Sequence, residues 1–232
     1  MINSLLNKSK DTKLFFPSTA TIFEGYKDTL VDENTLPVPL TTYSKTKYKT
    51  QERIENLIDK KNINANIGIM FSHESEFRRS NFFTKTITEF LVDYKLNKRR
   101  KLNVGNISLR RDIGYAKEYT EAIFKILKHS KNEKYIVSSN NLNSLEDFIV
   151  LCLDFLEIKF EKVYKDKYIS FVNKKTGKVF ISSESTNYRE IDLDGIQGNN
   201  SKISKEIGWK PKYKLEDICS KMITYDMNKR SF

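Results

Sequence analysis

The chain has 232 residues, of which 38% are hydrophobic and 31% charged, and its formal net charge is +11 at pH 7. This composition can build a packed core and argues against an intrinsically disordered chain. The positive charge favours an anionic partner, but no nucleic-acid-binding module pattern is present and no apolar run is long enough to span a bilayer. We expect a cytoplasmic globular protein that binds a phosphorylated small molecule, with neither nucleic acid nor a membrane as partner.

Cysteine and histidine are too few and too scattered to form a disulfide framework or a zinc site. Cys152 and Cys219 lie far apart in apolar helical patterns, which is typical of buried thiols. The two histidines, His73 and His129, do not cluster with them, so we expect no metal site.

The first predicted elements form a strand, a loop, a helix and a second strand. Lys13–Phe16 is a short apolar run that predicts a buried strand, and Pro17–Tyr26 predicts a polar loop. Thr41 and its neighbouring threonine are candidate caps for a helix that continues through Leu57. Residues 63–71 are predicted to form the second strand. This order of elements indicates a parallel sheet.

Helical and extended patterns continue beyond this unit. Ser144 followed by Asp147 is a variant of the capping box that opens a helix. The patterns predict helices over 82–94, 116–128, 144–156 and 215–227, short strands over 102–106 and 134–138, and a hairpin over 164–182.

Tyr43 and Lys47 are four positions apart on the first predicted helix. This spacing places a phenol and an ammonium on one helical face, one turn apart. The ammonium favours the phenolate, which can take the proton of a sugar hydroxyl while the carbon gives hydride to a nicotinamide. A Ser or Thr hydroxyl on a neighbouring loop can hold the same sugar hydroxyl. The motif alone is not specific, because two other pairs share its spacing: Tyr94/Lys98 and Tyr225/Lys229.

The sequence contains no glycine-rich loop for a dinucleotide. None of its eight glycines belongs to a Gly-x-Gly-x-x-Gly pattern, in which the backbone approaches a pyrophosphate at a helix N-terminus. We therefore expect an α/β protein with an incomplete Rossmann-like parallel sheet, its second half only, and a smaller α/β substrate-binding domain. Residues 1–71 are expected to form the cofactor part and 72–232 mainly the substrate domain, with about 107–138 returning to the Rossmann part.

Four segments together resemble one known family. They are Phe71-Ser72-His73-Glu74-Ser75, Phe82-Phe83-Thr84-Lys85, Val104–Gly114 and Gly208-Trp209-Lys210-Pro211. In this order and spacing they resemble the GDP-mannose 4,6-dehydratases of the extended short-chain dehydrogenase superfamily. The resemblance covers nearly the whole chain and raises Tyr43 above the other tyrosines with the same spacing.

The resemblance implies roles for residues around the predicted chemistry. Tyr43 would be the catalytic tyrosine, Lys47 its partner and a ligand of the cofactor ribose, and Thr19 the residue that holds the sugar hydroxyl. His73 and Arg78 fall on family positions that contact NADP. The implied cofactor is NADP, with NAD as the alternative.

The resemblance also implies a nucleotide-sugar site. The positions expected around a GDP-sugar are Ser72, Lys85, Asn106, Arg111 and Arg189. A planar guanidinium suits a pyrophosphate, so Arg111 and Arg189 are the expected pyrophosphate ligands. The implied assembly is a homo-oligomer or a complex with a complementing N-terminal half.

Two departures from the family pattern keep the reaction open. Thr21 stands where the family has the Glu that moves protons during water loss, and Ser72 stands where it has Asn. Glu24 and Glu74 are the candidate replacement acids. The implied activity is a lyase that dehydrates a GDP-hexose to a 4-keto-6-deoxy nucleotide sugar. The alternatives are a GDP-sugar epimerase or reductase, which needs no such Glu, and an inactive fragment or half-enzyme.

Overall fold

The computed structural model describes residues 12–27, 29–60, 63–184 and 195–230. These residues divide into two compact units. The first comprises the described residues up to His73, together with Asp112–Leu142 and Ile196–Lys212; the second comprises the described residues of Glu74–Arg111, Asn143–Gly195 and from Tyr213 onward.

Strands and helices alternate along the described residues. The strands are β1 (Lys13–Thr19), β2 (Leu30–Val31), β3 (Asn64–Met70), β4 (Ser72–Glu74), β5 (Leu102–Val104), β6 (Arg110–Tyr115), β7 (Lys134–Val137), β8 (Leu142–Ser144), β9 (Phe160–Lys165), β10 (Tyr168–Asn173), β11 (Val179–Ser183) and β12 (Gln197–Gly198). The α-helices are α1 (Thr42–Asp59), α2 (Phe83–Lys95), α3 (Ala116–Lys128), α4 (Leu145–Phe155), α5 (Ser201–Ile207) and α6 (Leu215–Arg230).

The first unit is built on a parallel sheet in the order β1-β3-β7. In its register Phe16 pairs with Ile67, and Ile69 pairs with Ile136. A second, two-stranded parallel sheet joins β2 to β12. The parallel pairing confirms the predicted α/β class, since parallel strands require helical connections between them.

Apolar side chains cover both faces of this sheet. On one face, Ile54 of α1 packs in a cluster with Ile67 and Ile69 of β3. Ile136 of β7 belongs to the same cluster. Because neighbouring residues of a strand point to opposite faces, Tyr135 and Val137 pack on the other face, in a cluster with α3 and α5. A sheet buried on both faces is typical of parallel α/β proteins.

The second unit combines a four-stranded sheet with three helices. Its strand order is β5-β11-β10-β9, with β5 parallel to β11 and the other pairs antiparallel. Helices α2, α4 and α6 pack on one another. Cys152 and Cys219 are buried and free, as predicted, and Cys219 Sγ lies 3.8 Å from Phe148 O.

Most elements expected from the sequence are present near their predicted bounds. The helix over 116–128 occupies those residues, and the strand over 63–71 is β3. The hairpin is the β10–β11 pair, whose strands are joined through Gly177 at φ 65°. Helix α5 and strands β2, β4, β6, β8, β9 and β12 were not predicted.

The predicted polar loop over 17–26 was wrong. Strand β1 continues through Pro17 to Thr19, and a short 3₁₀-helix follows over Ala20–Phe23. Pro17 is tolerated because β1 lies at an edge of the described sheet, where a missing N–H costs little. Ile22 and Phe23 are buried, so the segment belongs to the core.

Candidate active site

The first turn of α1 carries the tyrosine that was predicted to be catalytic. Thr41 caps the helix: Ser44 N donates to Thr41 Oγ1 at 3.2 Å, and Thr41 N donates to Ser44 Oγ at 3.1 Å. This reciprocal arrangement fixes the start of the helix and confirms the predicted threonine cap. Tyr43 is 58% exposed, so its phenol is open to a ligand.

Lys47 follows Tyr43 by one turn and is held against the end of β1. Its Nζ donates to Pro17 O at 2.7 Å. The same nitrogen lies 5.2 Å from the ring centroid of Phe16 and 6.0 Å from that of Tyr43. Burial lowers the pKa of Lys47. An ammonium has three N–H donors, so two remain for ligand hydroxyls.

Thr19 ends β1, at the edge of the parallel sheet where α/β proteins bind ligands. Its Oγ1 lies 3.1 Å from Thr21 Oγ1 and accepts a hydrogen bond from Thr21 N at 3.3 Å. Two hydroxyls therefore stand together at the position where the family resemblance implied a carboxylate. Hydroxyls can hold or relay a proton, but neither is a general base near neutral pH.

The three predicted catalytic residues belong to the first unit. The hydrogen bond from Lys47 to Pro17 ties α1 to β1 two residues before Thr19. A hydroxyl, a phenol and an ammonium suit the hydroxyls of a sugar or a ribose. A pyrophosphate requires a cradle of backbone N–H groups, and the sequence lacks the glycine-rich turn that forms one. The residues present therefore fit a nicotinamide dinucleotide at its ribose end.

Two further predicted ligand residues belong to the first unit. His73 is half-buried, its Nδ1 lies 2.8 Å from Phe71 O, and its ring centroid is 5.0 Å from that of Tyr119. Because a carbonyl can only accept, Nδ1 carries the proton. Ser72 begins β4 and is exposed. Both remain predicted ligands.

Arg78, predicted to contact the cofactor, belongs to the second unit and has partners there. Its Nε lies 3.2 Å from Glu74 Oε2. Its guanidinium carbon lies 3.6 Å from the ring centroid of Phe82, in cation–π geometry. Burial raises the pKa of Glu74, and the positive charge of Arg78 opposes that rise. Glu74, one of the candidate replacement acids, is thus buried beside an arginine.

Lys85, predicted to contact the nucleotide sugar, is buried in the second unit. Its Nζ donates to Asp226 Oδ1 at 2.5 Å and to Glu76 O at 2.9 Å. Thr88 Oγ1 donates to Asp226 Oδ2 at 2.7 Å. A buried ammonium requires such partners because desolvation of an unpaired charge is costly. These two bonds occupy two of the three N–H donors of the ammonium.

Two of the remaining predicted substrate residues make hydrogen bonds close to their own positions in the chain. Asn106 Oδ1 accepts a hydrogen bond from Ser108 N at 3.1 Å, and Arg111 Nη1 donates to Arg110 O at 2.7 Å. Arg189 lies outside the described residues.

Sequence reasoning did not assign a role to Asp112, a buried carboxylate of the first unit. Its Oδ1 accepts from Ser139 N at 2.7 Å and Ser139 Oγ at 2.6 Å, and its Oδ2 accepts from Gly198 N at 3.1 Å. Burial raises its pKa to about 6. Asp112 links β6, the segment after β7, and β12. The only signal for it in the sequence is its place in the segment Arg111-Asp112-Ile113-Gly114.

Glu24, the other candidate replacement acid, has a different role in the structure. Its carboxylate accepts hydrogen bonds from the first turn of α1, including one from Thr41 N at 3.0 Å. The sequence could not show this, because Glu24 and Thr41 are distant along the chain and meet only in the fold.

Across residues 12–27, 29–60, 63–184 and 195–230, no group of three His, Cys, Asp or Glu side chains is arranged to hold a metal ion. Within the same residues, no helix has the length and apolar character that crossing a membrane requires.

Solved structures with a similar fold act on nucleotide sugars or carry nicotinamide cofactors. The chain superimposes on RMD from Pseudomonas aeruginosa complexed with NADPH with a TM-score of 0.79 and 14% identity, covering 98% of this chain and 71% of that one. UDP-glucuronic acid 4-epimerase from Bacillus cereus, complexed with UDP-glucuronic acid and NAD, gives a TM-score of 0.75 and 18% identity, with 100% and 65% coverage. At these identities the likeness establishes the fold.

Sequence comparison is more specific. The chain is 27% identical over 217 residues to the GDP-mannose 4,6 dehydratases of Cricetulus griseus and Homo sapiens, a match that covers 93% of this chain and 58% of each of those proteins. It is 30% identical over 161 residues to GDP-mannose 4,6 dehydratase 2 of Caenorhabditis elegans, which covers 69% of this chain and 42% of that protein. The chain thus spans little more than half the length of the curated relatives that it matches. The family model for GDP-mannose 4,6 dehydratase matches residues 2–222, and the chain belongs to that family.

Proposed function

We propose that this chain carries the proton-transfer residues of an NADP-dependent enzyme that dehydrates a GDP-hexose, similar to GDP-mannose, to a 4-keto-6-deoxy nucleotide sugar. The observation that carries the proposal is the hydrogen bond from Lys47 to Pro17, which places the Tyr43 helix beside the Thr19 end of β1. Membership of the GDP-mannose 4,6 dehydratase family supports the substrate class.

The chemistry assigned to these residues begins at a sugar hydroxyl. Thr19 holds the hydroxyl at C4 of the hexose, and Tyr43 takes its proton as a general base. Lys47 stabilises the phenolate electrostatically and donates its remaining N–H groups to ribose hydroxyls. When bound, the nicotinamide supplies the hydride acceptor for oxidation at C4.

We assign the two units to the two ligands. The first unit, with Lys47 and His73, would bind the cofactor at its ribose end. The second, with Asn106 and Arg111, would bind the GDP-sugar, joined by Arg189 from outside the described residues. Solved relatives in fold carry NADPH or NAD, which supports a nicotinamide cofactor. We propose NADP, with NAD as the alternative.

Other residues must complete the pyrophosphate site, because the 232 residues contain no glycine-rich turn. We propose that a complementing cofactor-binding half supplies them. The edge of the sheet supports this: in the described residues β1 pairs on one side only, with β3. An unpaired edge is a template for a further strand, and a strand that pairs here must do so around Pro17, which lacks an N–H. A homo-oligomer is the alternative assembly, and sedimentation analysis of the purified chain distinguishes a single copy from several.

A second candidate is a GDP-sugar epimerase or C4 reductase. Water loss requires a carboxylate that removes the proton beside the new ketone as a general base. Thr21 offers only a hydroxyl, 3.1 Å from that of Thr19. The two candidate acids have other partners: Glu24 accepts from Thr41, and Glu74 lies beside Arg78. Loss of a general base costs about two to four powers of ten in rate.

Titration of NADP and NADPH into the purified chain tests the proposal. Lys47→Ala is expected to weaken binding about tenfold or more, because it removes charge-assisted hydrogen bonds. Lys45→Ala, an exposed lysine on the same helix, is the matched control and should bind as the wild type does. Absence of binding at millimolar cofactor would exclude autonomous redox chemistry and leave a half-enzyme or an inactive fragment.

Product analysis separates the reaction classes. GDP-mannose incubated with the cofactor and with a complementing half should give a methyl proton signal for C6 if water is lost. An epimerised or reduced sugar without that methyl group would favour the second candidate.

A further inference from the structure

We propose that Glu24 is a positioning residue that fixes the catalytic end of α1 against the loop carrying Thr19. The relevance of this inference to catalysis rests on the proposed function, but the contact itself does not. Glu24 would act through Tyr43 and would not touch the reacting atoms.

The carboxylate of Glu24 receives four hydrogen bonds from the start of α1. Oε2 accepts from Leu40 N at 3.2 Å, from Thr41 N at 3.0 Å and from Ser44 Oγ at 2.9 Å. Oε1 accepts from Thr41 Oγ1 at 3.2 Å. A carboxylate near a helix N-terminus is also favoured by the helix dipole. The donors lie on both sides of Tyr43 in the sequence, since Leu40 is three residues before it and Ser44 is one residue after it.

Backbone hydrogen bonds place Glu24 where it can make these contacts. Val38 N donates to Ile22 O at 2.8 Å, and Gly25 N donates to Val38 O at 2.9 Å. The two segments approach so closely at Gly25 that a Cβ there would lie 2.6 Å from Val38 Cγ1. Ile22 and Phe23 are buried in the core of the unit. The backbone on both sides of the contact is therefore fixed independently of the Glu24 side chain.

A second contact holds the other end of the same loop. Lys47 Nζ donates to Pro17 O at 2.7 Å, so α1 is bonded to the chain on both sides of Thr19 and Thr21. Glu24 and Lys47 together set where the Tyr43 phenol stands relative to the Thr19 hydroxyl. Catalysis is sensitive to such placement, since a displacement of about 1 Å can cost about 10²-fold in rate.

This arrangement also explains why Glu24 is a poor candidate for the missing general base. The chain at residues 40–44 donates three hydrogen bonds to Oε2 of Glu24 and one to Oε1, so the carboxylate is engaged with the helix start. Protonation of Glu24 would remove part of the acceptor capacity that holds Thr41 and Ser44. We therefore assign Glu24 to positioning and not to water loss.

Hydrogen exchange on the ligand-free chain tests the contact directly. Glu24→Ala is expected to speed amide exchange roughly tenfold over residues 40–46, where the bonds of the cap are lost, and to leave residues 116–128 of α3 unchanged. Glu24→Gln retains a carbonyl acceptor of the same shape and should show a smaller increase. Glu121→Ala, an exposed acid on α3, is the control and should leave residues 40–46 unchanged. Exchange over residues 40–46 that is unaltered in Glu24→Ala overturns the proposal.

Nucleotide binding by the same variants separates positioning from general stability. Glu24→Ala should weaken NADP binding while its unfolding midpoint stays above the assay temperature, and Glu24→Gln should recover part of the affinity. Equal affinity in wild type and Glu24→Ala overturns a positioning role. If the wild type binds no NADP, the isolated chain has no autonomous cofactor site, and the exchange experiment still decides whether Glu24 holds the helix.

Discussion

The predicted site residues of the two units differ in their exposure and in their side-chain partners. In the first unit, Tyr43 is 58% exposed, and the hydrogen bond that Lys47 makes within the described residues goes to a backbone carbonyl. In the second, Lys85 is buried against Asp226, and Arg78 lies between Glu74 and Phe82. Predicted site residues therefore include an exposed phenol in one unit and cations with side-chain partners in the other.

Breaking the Lys85–Asp226 pair should have the largest effect on stability. Their side chains are 5% and 0% exposed, so Asp226→Ala leaves a buried ammonium without its counter-charge. We expect the free energy of unfolding to fall by about 3–5 kcal/mol, measured by urea denaturation. Lys162→Ala breaks a pair with Glu146 whose side chains are 35% and 16% exposed, and should cost at most about 1 kcal/mol. Equal losses in the two variants would show that burial does not distinguish the pairs.

The pH dependence of stability should reveal the buried carboxylate of the first unit. Asp112 has its pKa raised by burial to about 6, against 3.8 for the exposed side chain. Between these values the folded state binds more protons than the unfolded state. Asp112 therefore stabilises the fold most below pH 4, and its contribution is lost as pH rises through 6, by about 3 kcal/mol in total.

Asp112→Asn isolates this contribution. The variant should lose that part of the pH dependence, which urea denaturation at pH 4 and pH 7 would show. The new amide would also point an N–H donor at Gly198 N, so a loss of stability at every pH accompanies the change. If the free energy of unfolding of Asp112→Asn depends on pH as that of the wild type does, Asp112 is not the titrating group.

Local patterns were sufficient to predict much of the fold, because the signals are short-range. Periodicity predicted the helix over 116–128, and the polar residues at 41 and 144 predicted two helix starts. The order strand, loop, helix, strand predicted the parallel sheet, which is present as β1-β3-β7. The polar appearance of residues 17–26 concealed a buried 3₁₀-helix, because Ile22 and Phe23 are only two apolar residues in a polar setting.

The sequence named residues for the candidate site, but it could not indicate their contacts. The spacing of Tyr43 and Lys47 follows from helix geometry. The contact of Glu24 with Thr41 spans 17 positions, and that of Lys85 with Asp226 spans 141. Such contacts depend on how segments meet, which no local pattern encodes. As a result, one of the two candidate replacement acids accepts hydrogen bonds from the start of a helix, and a lysine predicted to contact the substrate is buried in an ion pair.

Tyr43→Phe should give the smallest change in stability and the clearest separation of fold from chemistry. Its ring is 58% exposed, and no hydrogen bond to its hydroxyl is found within the described residues, so removal of the oxygen should change the free energy of unfolding by less than about 0.5 kcal/mol. If Tyr43 is the proton acceptor, turnover of a GDP-hexose in the completed enzyme should fall at least about 10²-fold. Tyr225→Phe, which changes the tyrosine of another Tyr/Lys pair in the second unit, should leave turnover unchanged. A Tyr43→Phe variant that retains full turnover would remove Tyr43 from the reaction, and the exposed phenol would then require another explanation.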